Sequence, residues 1–241
     1  MLKPPAIDPS RHAVFLDFDG TLVELVDDPD GVRLAPPALE RLEALSEELS
    51  GALAIVSGRR ISDLDRFLAP LRFAAAGVHG LERRPAPGAA VERLAGPELL
   101  DDVRSALTDV LAAHPRLKLE DKGTALVLHY RTAGDLQEAA EAAMAQATSG
   151  RDDLVVMNGD NIVEVHPAGM DKGVALGAMM EHPPFKGRVP IYVGDDTTDE
   201  FALKTVRQAG GVSIKAGSKP SAAEFRLADV PAVHRWLGVP D

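Results

Sequence analysis

The sequence predicts an α/β fold: a doubly wound, Rossmann-like core with a parallel sheet, carrying an inserted smaller α+β lobe of order αββαββ. Three observations predict it. Short apolar runs alternate with amphipathic helices over the first third of the chain, the same alternation returns near the C-terminus, and the stretch between carries adjacent strand pairs instead. Residues 1–85 and 172–241 are therefore expected to form the core and residues 86–171 the lobe. The Pro/Gly-rich stretches ERRPAPGAAVERLAGP (82–97) and HPAGMDKG (166–173) mark the two crossings.

In the core, Val14-Phe15-Leu16 is an unbroken apolar run, as suits a strand covered on both faces. Leu39, Leu42, Leu45 and Leu49 recur at helical spacing in PPALERLEALSEELSG, and Gly51 stops that helix. ALAIVSG, ISDLDRFL and RFAAAGVHG continue as strand, helix and strand. DKGVALGAMMEH, VPIYVGDD, TDEFALKTVRQ and GGVSIKAG repeat the alternation, with Thr197 or Thr198 placed to cap the second of these helices. Trp236 anchors a C-terminal helix.

The lobe reads as helix (PELLDDVRSALTDVLAAH), two strands (RLKLED, TALVLHYR), helix (DLQEAAEAAMAQA) and two strands (DLVVMN, NIVEVH). Leu100, Val103, Leu107 and Val110 or Leu111 form the packing stripe of its first helix. The hairpins are expected to turn at Lys122-Gly123 and Asn158-Gly159.

Composition narrows the function. With 26 Lys plus Arg against 37 Asp plus Glu, the net charge of −11 opposes binding of nucleic acid or an anionic membrane through a general positive field. The absence of cysteine excludes disulfides, thiolate catalysis and cysteine-ligated metals, but leaves oxygen-ligated metals open. The N-terminus lacks an apolar signal-peptide core, and no run of ~18 apolar residues occurs. A cytoplasmic monomer acting on a small molecule is expected.

In an open parallel sheet, ligands bind beyond the carboxyl ends of the strands at the point where strand order reverses. The first strand ends on Asp17-Phe18-Asp19-Gly20-Thr21, the second on Ser57-Gly58-Arg59, and a later one on Gly194-Asp195-Asp196 with Asp199 beyond; a helix opens at Asp171-Lys172-Gly173. So many acids around one crevice require a cation. A hard divalent ion such as Mg²⁺, sharing its coordination with a phosphate, meets that need.

Asp17 and Asp19 lie on one face but are displaced along the chain, so one can attack phosphorus while the other handles protons. Asp19, protonating the leaving oxygen, would need surroundings that disfavour its charge. Ser57 and Thr21 offer hydrogen bonds to phosphoryl oxygens, and Lys172 at a helix start neutralises the transferring group. Taken singly each motif has a plainer reading: a DxD turn, a strand exit, a lysine after a cap. Their convergence on one sheet edge favours chemistry.

The ordered set DFDGT (17–21), Ser57, Lys172 and GDDTTD (194–199) resembles the haloacid dehalogenase (HAD) superfamily of phosphatases, with a C2-type cap inserted between the second and third motifs. Within it, FLDFDGTL, IVSGR, GVHGLE, LEDK, LHYR, VEVHPAGMDKG and YVGDDTTDEFA are similar to the trehalose-6-phosphate phosphatases, over most of residues 14–202.

The resemblance implies hydrolysis of trehalose 6-phosphate to trehalose and phosphate through an aspartyl-phosphate on Asp17, with Asp19 as general acid and base. It implies Mg²⁺ held by the Asp17 carboxylate, the Asp19 carbonyl and Asp195, with Asp196 and Asp199 behind them positioning metal waters and Lys172. The inserted lobe would select the sugar. Glu120, Lys122 and Glu164 are implied as disaccharide contacts, and Arg59, His129 and Arg131 as further substrate-binding residues.

Strand alternation independently puts Glu120 and Lys122 on one face, and His129 and Arg131 on one face; a turn at Lys122-Gly123 sets Glu120 opposite Ala125 and makes those faces coincide. His166 stands where many members carry Arg. Competing readings are a phosphatase for sucrose 6-phosphate or mannosyl-3-phosphoglycerate, a phosphomutase, or a non-catalytic sugar-phosphate sensor. His79 reads as a loop-stabilising residue, and His12, His114, His182 and His234 as surface or loop residues.

Overall fold

The computed structural model describes residues 3–26, 31–159 and 161–240. The chain divides into two compact units: Met1–Glu92 with Met170–Asp241, and Arg93–Gly169.

The first unit is built on an eight-stranded sheet. Its strands are β1 (His12–Leu16), β2 (Leu53–Val56), β3 (Ala74–Gly77), β4 (Glu82–Arg84), β5 (Glu92–Arg93), β10 (Val189–Gly194), β11 (Val212–Ala216) and β12 (Phe225–Leu227). The strand order is β12-β11-β10-β1-β2-β3-β4-β5. Pairings from β12 through β3 are parallel, whereas β4 folds back antiparallel on β3.

Chain order runs outward in opposite directions from the β1/β10 pair, so the reversal point lies there. Every residue of β1, β2 and β3 is buried, which is why those strands read as continuous apolar runs. The helices of this unit are α1 (Pro36–Glu48), α2 (Ile61–Leu68), α5 (Lys172–Met180), α6 (Asp199–Gln208) and α7 (Val230–Leu237).

The α1 stripe buries Ala38, Leu42 and Leu45, while Leu39 is only partly covered. Asp171 caps α5 by accepting from the Val174 N–H at 2.8 Å. Thr198 sits at the N-cap of α6 with helical backbone angles and makes no side-chain cap hydrogen bond. Trp236 does anchor α7, donating from Nε1 to the Pro5 carbonyl at 2.9 Å.

Two histidines read as surface or loop residues have structural partners. His12 is buried in β1 and takes the Asp8 N–H on Nδ1 at 2.8 Å, and His234 Nε2 lies 2.8 Å from the Leu22 carbonyl.

The second unit is a four-stranded antiparallel sheet of β6 (Lys118–Asp121), β7 (Leu126–His129), β8 (Leu154–Gly159) and β9 (Ile162–Pro167), in the order β6-β7-β9-β8. The helices α3 (Asp101–Ala113) and α4 (Gln137–Ala147) contribute Val103, Leu107, Ala140 and Met144 to one apolar cluster with Leu126, Leu128, Val163 and Val165.

Both hairpin turns fall later than expected. The Lys122 N–H bonds the Ala125 carbonyl at 2.9 Å, so the loop is Gly123-Thr124 and Glu120 lies opposite Val127, not Ala125. Positive φ at Gly123 (80°), where a type II′ turn demands it, accounts for the register. The shift is two residues, so the face assignment survives it. The second hairpin pairs Gly159 with Ile162 and turns beyond Asn158-Gly159, with Asn161 at φ 62°.

Candidate active site

Asp17 directly follows β1, Ser57 follows β2, and Gly194 ends β10 before Asp195. Because these three strands are parallel neighbours, their carboxyl ends deliver the side chains to one edge at the reversal point. Lys172 opens α5 and Asp199 opens α6.

Lys172 is the hub. It is 3% exposed, and its Nζ donates to Asp17 Oδ1 at 2.8 Å and to Asp199 Oδ1 at 2.6 Å. Burial pulls the Lys172 pKa down, but the carboxylates of Asp17 and Asp199 outweigh burial and hold it above the ordinary lysine value.

Asp199 is completely buried and also accepts the Tyr192 hydroxyl at 2.6 Å and the Asp196 N–H at 2.8 Å. Burial, then the charges of Asp199 and Asp17, push the Tyr192 phenol well upward, so it remains a neutral donor.

Burial followed by the Asp199 charge raises Asp17 well above the usual carboxylate range, with Lys172 pulling the other way. Asp195, less enclosed, is pushed up to about 6 by burial and by Asp199 and Asp196.

Carboxylate oxygens of Asp17, Asp195 and Asp199 lie within 4.8 Å of one another. Three hard anionic donors so close, two of them with raised pKa values, suit a divalent cation with oxygen preference. The local backbone leaves room for that cluster. Gly20 has φ 72°, and a Cβ there would fall 2.3 Å from Asp195 Cγ. Gly20→Ala is therefore expected to displace the Asp195 carboxylate and to cost about 1–2 kcal/mol from the left-handed backbone alone, read by thermal unfolding.

Asp19 meets a cation where surroundings hostile to charge were expected. Arg59 Nε and Nη2 donate to its two oxygens at 2.6 and 2.7 Å, a bidentate pair. The guanidinium also lies over the Phe18 and Phe67 rings, 5.6 and 5.0 Å from their centroids. Arg59 thus engages Asp19 in this structure.

Ser57 is buried, and its Oγ takes the Arg59 N–H at 3.2 Å. Thr21 Oγ1 is buried without a hydrogen-bond partner.

The acidic loop is tied down by residues that sequence reasoning passed over. Lys215, 1% exposed in β11, donates to the Asp196 carbonyl at 2.9 Å and to Glu200 Oε1 at 3.3 Å. Lys219 pairs with Asp196 Oδ1 at 3.0 Å, which turns the Asp196 carboxylate toward that lysine. A lysine inside an apolar strand, SIKAG, was the available signal, since a buried ammonium must be paired.

In the second unit, Glu120 Oε2 lies 2.9 Å from His129 Nε2, and this bond holds the Glu120 pKa below its usual value. Lys122 Nζ lies 3.4 Å from Glu164 Oε2. The pairing Lys118–His129 and the Glu120–Val127–Glu164 register bring these groups to one sheet face. Arg131 is not among them on the strand: β7 ends at His129, and Arg131 sits exposed in the following turn. Among the described residues, no helix is long and apolar enough to cross a membrane.

A model of the trehalose-phosphatase family matches residues 15–231. The trehalose-6-phosphate phosphatase of Escherichia coli K12 is 39% identical over 228 residues, covering 95% of this chain and 86% of that one. The C-terminal domain of the C. albicans trehalose-6-phosphate phosphatase shares the fold at TM-score 0.82 with 21% identity, covering 99% of this chain and 100% of that one. A phosphatase of the HAD superfamily from Bacteroides thetaiotaomicron shares it at TM-score 0.64 with 15% identity, covering 95% and 96%. With a parallel sheet, an acidic rim and a family match over most of its length, the chain belongs to the trehalose-phosphatase family of HAD-fold phosphoric monoester hydrolases.

Proposed function

We propose that the protein hydrolyses trehalose 6-phosphate to trehalose and inorganic phosphate, using Asp17 as nucleophile and Mg²⁺ as cofactor. The observation that carries this reading is the Lys172 ammonium, which joins the Asp17 and Asp199 carboxylates at the edge where β1 meets β10.

Asp17 forms a bond to phosphorus as the sugar oxygen leaves, which splits one displacement into two easier ones. Asp19 supplies the proton to that oxygen and then removes one from the water that hydrolyses the aspartyl-phosphate. Arg59 holds Asp19 in the meantime, and its bidentate grip must loosen for the proton to move.

Ser57 and Thr21 donate to phosphoryl oxygens, and Lys172 offsets the growing negative charge. Asp17, the Asp19 carbonyl and Asp195 would hold the Mg²⁺, with Asp196 and Asp199 behind them; the ion supplies Lewis-acid charge neutralisation on the phosphoryl group. Phosphate release measured over a panel of trehalose 6-phosphate, sucrose 6-phosphate and mannosyl-3-phosphoglycerate, with and without EDTA, tests the whole reading. Trehalose 6-phosphate is expected to lead and EDTA to abolish turnover. Preference for another ester by orders of magnitude, or full activity in EDTA, overturns the substrate or the metal.

Sugar selection is assigned to residues 86–171 as a cap, through Glu120, Lys122, His129, Arg131 and Glu164. Carboxylates beside cationic groups provide both the acceptors and the donors that sugar hydroxyls require. Glu120→Gln and Glu164→Gln are expected to raise KM for trehalose 6-phosphate by about 10- to 100-fold, leaving KM for p-nitrophenyl phosphate unchanged. Equal effects on both esters would remove these residues from sugar recognition.

A further inference from the structure

We propose that His79 is a positioning residue for the phosphate-binding turn Ser57-Gly58-Arg59, carried to that turn by a strained backbone bracket. The inference rests on the reading of Ser57 as a phosphoryl donor and goes beyond it by naming what fixes the turn.

After β3, three successive residues adopt left-handed backbone angles: Val78 at φ 47°, His79 at φ 54° and Gly80 at φ 106°. Glycine adopts such angles freely, but a β-branched valine does so only where the surroundings impose it. The bracket uses this conformation to reach the turn. The Val78 N–H donates to the Arg59 carbonyl at 2.9 Å and the His79 N–H to the Ser57 carbonyl at 3.1 Å, so both ends of the turn are held.

The imidazole fits between them. A Cβ on Gly58 would fall 2.8 Å from both Cε1 and Nε2 of His79, which places the ring edge against the Gly58 Cα. At its far end the bracket leans on α5. A Cβ on Gly80 would fall 2.7 Å from Ala175 Cβ and 3.2 Å from the Asp171 carbonyl, one residue before Lys172. The same three residues therefore set the spacing between the Ser57 turn and the start of the lysine helix.

Strain at Val78 is offset by complete burial of its side chain. His79 is only partly covered. Glycine at position 79 would keep the backbone bonds and lose the strain, so the group that glycine could not replace is the imidazole resting on Gly58. Its contact bears on Gly58, the middle residue of the turn, flanked by Ser57 and by the Arg59 that holds the Asp19 carboxylate.

Kinetics and thermal unfolding of His79→Gly and His79→Asn, beside Ser57→Ala, test the proposal. His79→Gly is expected to unfold at the same temperature as the parent or higher, with kcat/KM for trehalose 6-phosphate lowered at least about tenfold, as misplaced groups lose rate steeply. Competitive inhibition by inorganic phosphate should weaken in parallel. Asparagine tolerates the left-handed region, but its amide ends level with Nδ1, short of the Cε1 and Nε2 that meet Gly58, so His79→Asn should show the same loss while keeping the fold.

The proposal is overturned if His79→Gly keeps kcat/KM within about threefold of the parent, or if both variants lose activity only in step with loss of the folded state. An inactive Ser57→Ala beside an unaffected His79→Gly would sink this inference alone. Normal turnover by Ser57→Ala would sink the reading of the turn itself.

Discussion

Asp17→Asn is expected to lower turnover by about 10³-fold or more while the metal-free protein unfolds at the same temperature or higher. The two halves of this expectation have one cause. Asp17 is 4% exposed, and its carboxylate faces the Asp199 charge with Lys172 as the opposing cation.

Burial and Asp199 raise its pKa in the folded state. A carboxyl with a raised folded pKa contributes stability when protonated and loses that contribution as pH rises through the folded value. An ionised Asp17 is thus a cost that the fold carries. Asparagine keeps the shape and removes the charge, but its amide cannot form the aspartyl-phosphate. Phosphate release and thermal unfolding on the same preparation check both halves. Turnover near the parent rate would remove Asp17 as nucleophile, and a clear fall in unfolding temperature would show that the ionised carboxylate supports the fold.

The sheet core and the acidic rim were legible in the sequence for the same reason. Strands buried on both faces must be continuously apolar, so Val14-Phe15-Leu16 and ALAIV stand out, and any acid at their ends is conspicuous. The short strands β4, β5 and β12 carry polar residues and gave no such contrast. The hairpin register of the second unit turned on which residue beside Gly123 enters the loop, a choice set by backbone angles that composition does not display.

Tyr192 and Lys215 were overlooked because each sits inside an apolar strand, where the eye follows the pattern instead of the exception. A buried hydroxyl or ammonium must have a partner, and in both cases that partner belongs to the acidic loop: Asp199 for Tyr192, the Asp196 carbonyl and Glu200 for Lys215. Arg59 was recognised as a site residue, yet its bidentate hold on Asp19 depends on two positions forty residues apart and could be seen only in three dimensions.

Lys172→Met should damage both fold and chemistry, and pH separates the two. Removing one member of a buried charge cluster leaves the others uncompensated, which costs about 3–5 kcal/mol. Here Asp17 and Asp199 would lose their shared cation while Asp195 stays within 4.8 Å. Without the ammonium, the folded-state pKa of Asp17 rises further, so the variant's stability is greatest with the carboxyl protonated and falls as pH rises.

Urea unfolding of the metal-free proteins should therefore show a large gap between Lys172→Met and the parent at neutral pH that narrows as pH falls. Activity should not return over that range, because protonation restores neutrality to the cluster without restoring a donor to the phosphoryl group. Lys172→Arg should not rescue either property: the site encloses its lysine to 3% exposure, and a planar guanidinium cannot place one nitrogen 2.8 Å from Asp17 and 2.6 Å from Asp199 without moving α5. A Lys172→Met protein as stable as the parent at neutral pH, or a gap that does not shrink on acidification, would mean that the lysine is not what neutralises the acidic rim.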